Sequence, residues 1–252
     1  DLRRRIDETL AANDLDDAYV RLSVTRGVQP GKLTPDPDVT PTVVVEVEAL
    51  PRGGLAGEPV WDDPATLQTV KTRRVSDRAL PARAKTHNYL NGILARLELR
   101  VEGPDGPETT ADEALVLDDD GYVAEGATSN VFLVDGDALH TPSLDGPVLP
   151  GVTRSVVLDL AREEGIPVNE GRYRSDDLRS ADEAFLTNTT WELRPVDRVD
   201  GIEVGDGPVT RLLSRLFDAR VEDGFYGDDG TLSADDGPDP GARDDLSPEG
   251  GG

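Results

Sequence analysis

The sequence contains no cysteine, no methionine, two histidines and three lysines. Without cysteine there is no disulfide, no thiolate metal site and no cysteine nucleophile. His87 and His140 are too few for a histidine-rich metal centre, so no metal is expected. No apolar run reaches the roughly eighteen residues of a membrane-spanning helix, and nothing resembles a signal peptide, which leads to the expectation of a cytoplasmic protein. Positive charge is also scarce. Against 51 acidic residues stand 26 basic ones, for a formal net charge of -25. Such a chain is repelled by nucleic acid and by anionic membrane surfaces, leaving a small-molecule substrate as the expected partner. Hydrophobic residues make up 36% of the chain, enough that most of it is expected to fold despite the acidity. Acid excess combined with arginine in place of lysine fits a halophile, whose salty cytoplasm screens the self-repulsion. The first residue is Asp1 and a charged helix follows directly, so a processed or truncated N-terminus is expected.

Only Lys32, Lys71 and Lys85 occur, against 23 arginines. Arginine stays protonated and cannot act as an amine nucleophile, whereas a desolvated lysine can. Lys85 is therefore either a stray surface residue or a retained amine. After it, Leu90, Ile93, Leu94 and Leu97 fall at i, i+3, i+4 and i+7, the pattern of an amphipathic helix with one buried stripe. Lys85 then lies on the loop leading into that helix, where a side chain can be directed into a cleft.

Taken in order, the chain predicts a helix over residues 1–13 with Leu2, Ile6 and Leu10 on one face, then strands over 18–26, 42–50 and 70–75. Pro-rich and Gly-rich stretches at 33–41 and 51–59 read as loops. Residues 111–121 predict a strand running into an Asp-Gly turn, and 122–134 its return limb. His140 is expected to be structural. A helix is expected from about Thr153, with Val156, Val157, Leu160 and Ala161 on one side. A short helix over 176–181, a strand over 183–187 and a last helix from about 207 carrying Leu212, Leu213, Leu216 and Phe217 follow. Residues 228–252 read as a disordered acidic tail.

Four stretches carry chemistry. The first is Lys85-Thr86-His87-Asn88-Tyr89-Leu90-Asn91-Gly92-Ile93-Leu94-Ala95. The second is Glu125-Gly126-Ala127-Thr128-Ser129-Asn130-Val131-Phe132. The third is Leu149-Pro150-Gly151-Val152-Thr153-Arg154, and the fourth is Asn188-Thr189-Thr190. A glycine followed by free backbone N–H groups and a threonine hydroxyl at a helix start suits a phosphate, and it also suits an ordinary capped helix. Glu125 alone is equally a solvated hairpin residue.

In this order and spacing the stretches resemble the class IV aminotransferases, the fold-type IV enzymes that use pyridoxal 5'-phosphate (PLP). The likeness covers about residues 18–220. It implies an α/β fold (α+β type) of two α/β domains with the cofactor in the cleft between them, in a homodimer whose partner loop helps close the site. Residues 1–80 would be the remainder of the small N-terminal domain, 81–227 the large PLP-binding domain and 228–252 the tail. By the same resemblance Lys85 binds PLP covalently and moves the substrate's alpha proton, while Glu125 pairs with the pyridine nitrogen. Leu149 packs on the ring, and Val152, Thr153 and Thr189 hold the phosphate. Tyr89 is a candidate substrate contact. Arg21 or Arg26 is either a substrate-carboxylate ligand or an ordinary arginine on a solvated strand face. The arginine with which family members grip the phosphate earlier in the chain has no counterpart here. No Gly-x-Gly-x-x-Gly opens a helix, which weighs against a dinucleotide fold.

Within the family the spacing Lys85-x-x-Asn88-Tyr89-Leu90 resembles the lyase and D-amino-acid branches, and the run Val24-Thr25-Arg26-Gly27 resembles the lyase more than the branched-chain enzymes, so 4-amino-4-deoxychorismate lyase is the expected activity. It releases pyruvate and leaves 4-aminobenzoate. Branched-chain or D-amino-acid aminotransferase is the alternative, and a non-catalytic domain of the same fold the third reading.

Overall fold

The structure is a computed structural model that describes residues 1–31, 33–103, 106–205 and 207–227. Contacts divide the chain into two units, Asp1–Val60 and Trp61–Gly252. The tail expected over 228–252 lies outside the described residues.

In the first unit, helix α1 (Leu2–Ala12) starts at Asp1, whose carboxylate accepts the Arg3 N–H at 3.1 Å. Strands β1 (Ala18–Thr25) and β2 (Thr42–Ala49) pair antiparallel without a break from Ala18↔Ala49 to Thr25↔Thr42. β2 is mostly β-branched, and β1 carries Tyr19, Val20, Val24 and Thr25, residue types that favour strands locally. Gly27 ends β1 at a φ of +101°, a conformation that favours glycine.

The second unit is built on one mixed nine-stranded sheet. Chain order is β3 (Ala65–Arg73), α2 (Leu90–Leu97), a hairpin of β4 (Arg100–Gly103) and β5 (Gly106–Thr109), then β6 (Glu113–Leu117), β7 (Val123–Gly126), β8 (Asn130–Asp135) and β9 (Ala138–Pro142). There follow α3 (Val152–Glu163), β10 (Val168–Gly171), α4 (Ser175–Arg179), β11 (Glu183–Asn188), β12 (Glu192–Val199), β13 (Ile202–Glu203) and α5 (Pro208–Val221). The sheet runs β10-β9-β8-β11-β12-β3-β6-β7, with β13 paired to β12. β3 joins parallel to both β12 and β6. That pairing is why contacts place β3 with the second unit, although the sequence grouped residues 1–80 with the first.

β8 and β11 are buried on both faces, and their side chains alternate between two cores. Val131, Leu133, Ala184 and Leu186 enter one core together with Leu178 of α4. Phe132, Val134 and Phe185 enter the other, with Val157, Leu158, Leu160 and Ala161 of α3 and Leu213 of α5. Phe132 and Phe185 are direct cross-strand partners, stacked with centroids 4.8 Å apart. Each such buried aromatic contributes about 1.5–3 kcal/mol. This centre fixes where β8 starts and β11 ends, and both ends reach the site described below.

Four expectations are corrected. The stripe Leu90, Ile93, Leu94 and Leu97 is not buried, these residues being 60%, 52%, 46% and 48% exposed. Helix α2 packs instead through Gly92 and Ala95, with Leu99 just beyond it, a face roughly opposite at 100° per residue. A Cβ at Gly92 would lie 3.1 Å from the Ala127 carbonyl oxygen, so small residues allow the close approach. The expected return limb 122–134 is two strands, β7 and β8, because the chain bends at Ala127–Ser129 and the Gly126 N–H donates to the Ser129 carbonyl at 2.7 Å. The strand expected over 70–75 begins at Ala65 and ends at Arg73. Leu212 of α5 is 40% exposed, and its neighbour Leu213 takes the core position.

Candidate active site

Every residue of the site lies in the second unit, where the ends of β3, β7, β8 and β11 meet the starts of α2 and α3. A cavity of about 610 Å³ opens there. Lys85, Tyr89, Glu125, Leu149, Val152, Thr153 and Thr189 all line it. Stretches far apart in the chain thus converge as the motifs suggested.

Glu125 ends β7 and is 8% exposed. Its Oε1 accepts from Arg74 Nε at 2.6 Å and its Oε2 from the Leu149 N–H at 3.0 Å. Burial pushes the Glu125 carboxyl up from its ordinary range, while the Arg74 guanidinium, the Leu149 N–H and the Lys85 charge pull it back. Arg74 is held in turn: its N–H donates to the Leu117 carbonyl at 2.8 Å, and Asn91 of α2 ties residues 73–75. Asn91 Oδ1 accepts the Val75 N–H at 3.2 Å, and Asn91 Nδ2 donates to the Arg73 carbonyl at 2.8 Å. Sequence reasoning missed Arg74 and Asn91. The one available signal was an Arg73-Arg74 pair ahead of the lysine loop, and nothing in its spacing distinguishes it from surface charge.

Lys85 sits on a loop shaped by short-range bonds. The Ala82 N–H donates to Asp77 Oδ1 at 2.6 Å, the Ala84 N–H to the Pro81 carbonyl at 3.1 Å and the Thr86 N–H to the Ala84 carbonyl at 2.9 Å. Tyr89 caps α2 through its backbone.

Leu149 leads to the start of α3. Gly151 is the N-cap with no side-chain cap, so the first N–H groups of α3, at Val152 and Thr153, carry the positive end of the helix dipole toward the cavity. Asn130, at the start of β8, donates from Nδ2 to the Leu149 carbonyl at 2.9 Å. A Cβ at Gly151 would lie 2.1 Å from Asn130 Oδ1, so a larger residue would displace the Asn130 side chain from its place. Thr153 is buried and Val152 is 70% exposed. Thr189 stands on the turn after β11, shaped by Asn188 Oδ1, which accepts the Thr190 N–H at 3.0 Å and the Trp191 N–H at 2.7 Å.

The bend between β7 and β8 is pinned by Glu113, a fully buried carboxylate absent from the expected site. It accepts from the Thr128 N–H at 3.0 Å, Thr128 Oγ1 at 2.5 Å, Ser129 Oγ at 3.2 Å and Arg96 Nη1 at 3.4 Å. The polar residues after Glu125 in the second motif are thus occupied in shaping the cavity wall. His140 meets the Tyr173 hydroxyl at 3.1 Å, a packing contact. Arg21 and Arg26 belong to the first unit. Arg21 forms a two-point pair with Glu46 at 2.6 and 2.7 Å, and Arg26 donates to the Asp36 carbonyl at 2.6 Å.

Among the described residues no cluster of His, Asp and Glu suits a metal, and no helix is long and apolar enough to cross a membrane. The residues that are present fit a phosphorylated pyridine aldehyde. A buried carboxyl faces the cavity at one wall, an uncapped helix start at another, and an amine lies on the loop beside them. Thr187, also lining the cavity, has a buried hydroxyl without a hydrogen-bond partner among the described residues.

The sequence profile of amino-transferase class IV matches residues 1–199. The chain belongs to the class IV aminotransferases. The cofactor of this family is PLP, and the family is one of enzymes. This class IV aminotransferase is 40% identical over 213 residues to a Methanocaldococcus jannaschii protein provisionally named branched-chain-amino-acid aminotransferase, covering 83% of the chain and 69% of that relative. It is similar in structure to a branched-chain aminotransferase from the thermophilic archaeon Thermoproteus uzoniensis, solved with norvaline, at TM-score 0.74 and 27% identity over 87% of the chain and 70% of that one. A second solved branched-chain amino acid aminotransferase, complexed with N-(5'-phosphopyridoxyl)-L-glutamate, is similar at TM-score 0.74 and 30% identity, again over 87% of the chain and 70% of that one. A Legionella pneumophila protein provisionally named 4-amino-4-deoxychorismate lyase is similar at TM-score 0.72 and 23% identity, covering 84% of the chain and 74% of that one, which speaks to the fold alone. The α/β fold expected from the sequence is the fold of these class IV enzymes.

Proposed function

We propose that the chain is a PLP-dependent branched-chain-amino-acid aminotransferase. The observation that carries this reading is that Lys85 and the buried Glu125 line one cavity. The substrate class is supported by the relatives at 27%, 30% and 40% identity, which are named for it. The sequence put 4-amino-4-deoxychorismate lyase first. The spacing Lys85-x-x-Asn88-Tyr89 keeps that lyase as the second reading.

In this reading Lys85 binds the cofactor covalently, Glu125 faces its ring nitrogen, Leu149 packs on the ring, and Val152, Thr153 and Thr189 hold the phosphate. When bound, PLP supplies an electron-withdrawing ring that stabilises negative charge at the substrate's alpha carbon. Lys85 Nζ takes the alpha proton and returns it, acting as base and then as acid. Glu125, as a carboxylate, would pair with the ring nitrogen and hold a proton there. Arg74 and the Leu149 N–H fix the direction of that carboxyl. Tyr89, on the cavity wall, contacts the substrate.

The test is made on the full chain with PLP in multimolar salt, given a net charge of -25. Leucine, isoleucine and valine are expected to pass their amino group to 2-oxoglutarate, D-alanine is not, and 4-amino-4-deoxychorismate is expected to release no pyruvate. Pyruvate release without an amino acceptor, and no transfer from leucine, transfers the assignment to the lyase.

A homodimer belongs to the same reading. The exposed stripe of Leu90, Ile93, Leu94 and Leu97 is more apolar surface than a single short helix leaves uncovered without reason, and Leu90 and Leu94 also border the cavity. A second copy of the chain is the proposed cover. Ile93→Asp with Leu97→Asp is expected to convert a dimer to a monomer in sedimentation at multimolar salt. A parent chain that sediments as a monomer contradicts the proposal.

A further inference from the structure

Thr187 is assigned no role by the motifs, yet its surroundings single it out. It is 1% exposed, its Oγ1 has no hydrogen-bond partner among the described residues, and it lines the cavity. Side chains alternate along a strand, so Thr187 shares a face of β11 with Phe185. Its cross-strand neighbour on β8 is Asn130, which shares a face with Phe132. Phe185 and Phe132 both pack in the core that α3 covers. Thr187 and Asn130 thus continue that face past the N-terminus of α3, where Asn130 reaches the Leu149 carbonyl and presses against Gly151. Behind them that layer is filled by Phe132, Phe185, Val134 and Val157, so an apolar side chain is the default occupant there. A hydroxyl there without a partner is destabilising, and an acceptor brought into the cavity relieves it. The group that arrives at an uncapped helix start is an anion.

We infer that the Thr187 hydroxyl is a further ligand of the cofactor's phosphate, donating to one of its oxygens beside the first N–H groups of α3. This rests on the PLP reading above. It adds a side-chain donor to the contacts expected from Val152, Thr153 and Thr189.

The test compares the parent full chain with Thr187→Val, which keeps the shape and removes the hydroxyl, and Thr187→Ser, which restores it. The affinities of PLP and of pyridoxal, which lacks the phosphate, are read by absorbance titration, and apo-protein melting is followed alongside. Thr187→Val is expected to weaken PLP binding about tenfold or more, as loss of a hydrogen bond to a charged group does. Its pyridoxal affinity is expected to stay within about twofold of the parent, and its apo form to melt no lower, because removing an orphan hydroxyl is not destabilising. Thr187→Ser is expected to bind PLP as the parent does. The inference is overturned if Thr187→Val binds PLP like the parent, if PLP and pyridoxal weaken together, if Thr187→Ser fails equally, or if the apo variant melts lower. A parent chain that binds neither compound overturns the PLP reading itself, a separate outcome.

Discussion

Replacing Lys85 by alanine is expected to lower amino transfer by at least about 10²–10⁴-fold, the contribution of a positioned acid–base group, with the loss of covalent attachment added to it. Placement decides which lysine matters. Lys71 lies in β3, where its backbone N–H is taken by Glu98 at 2.7 Å, and it does not line the cavity. Lys85 does, and its charge is felt by Glu125. Lys85→Arg separates the charge from the amine, because arginine keeps the former and cannot supply the latter. Both variants are therefore expected to be inactive, while their melting stays close to the parent's, since Lys85 makes no hydrogen bond to another side chain among the described residues. Rates for leucine and 2-oxoglutarate together with thermal melts check this. An active Lys85→Arg protein contradicts it.

The second large effect is expected at Glu125. Glu125→Gln keeps an acceptor for Arg74 but cannot hold a proton at the ring nitrogen, and the rate is expected to fall about 10²–10³-fold, as when a preorganised electrostatic partner is lost. Stability is expected to move the other way with pH. Burial raises the Glu125 pKa in the folded chain, so the folded state binds this proton more tightly than the unfolded one. The resulting stability is fully present below the ordinary carboxylate range and is lost as pH rises through the folded pKa. Glutamine has no such loss. The melting-temperature difference between apo Glu125→Gln and apo parent is therefore expected to shift in the variant's favour as pH is raised through that range. A shift toward the parent shows that Arg74 and Leu149 outweigh desolvation.

What the sequence revealed and what it concealed divide along physical lines. Local patterns were legible: alternation marked β1, short β-branched or apolar runs marked β2 and β11, and helical spacing marked α1, α3 and the last helix. The short motifs brought seven residues to one cavity because each motif carries its own turn or helix start. Contacts between distant stretches were not legible. Arg74 meets Glu125 across 51 positions, and Glu113 reaches Thr128 across 15, with no spacing rule to announce either. Thr187 read as an ordinary strand threonine, since β propensity explains it until its hydroxyl is seen to be buried without a partner. The α2 stripe taught a different lesson. Periodicity shows that a face is apolar and is silent on what covers it, and the helix turned its glycine–alanine face inward instead. The contact boundary falls near residue 60 rather than 80 because β3 gains its place only by pairing with β12 and β6.

Everything proposed for the site turns on Lys85 being the residue to which PLP becomes attached, in the cavity it shares with Glu125. The most direct measurement is borohydride reduction of the full chain with PLP in multimolar salt, followed by peptide mapping. Three lysines make the map unambiguous. Phosphopyridoxyl label is predicted on the Lys85 peptide alone. Label on the Lys32 or Lys71 peptide instead, or none on a folded chain, contradicts it.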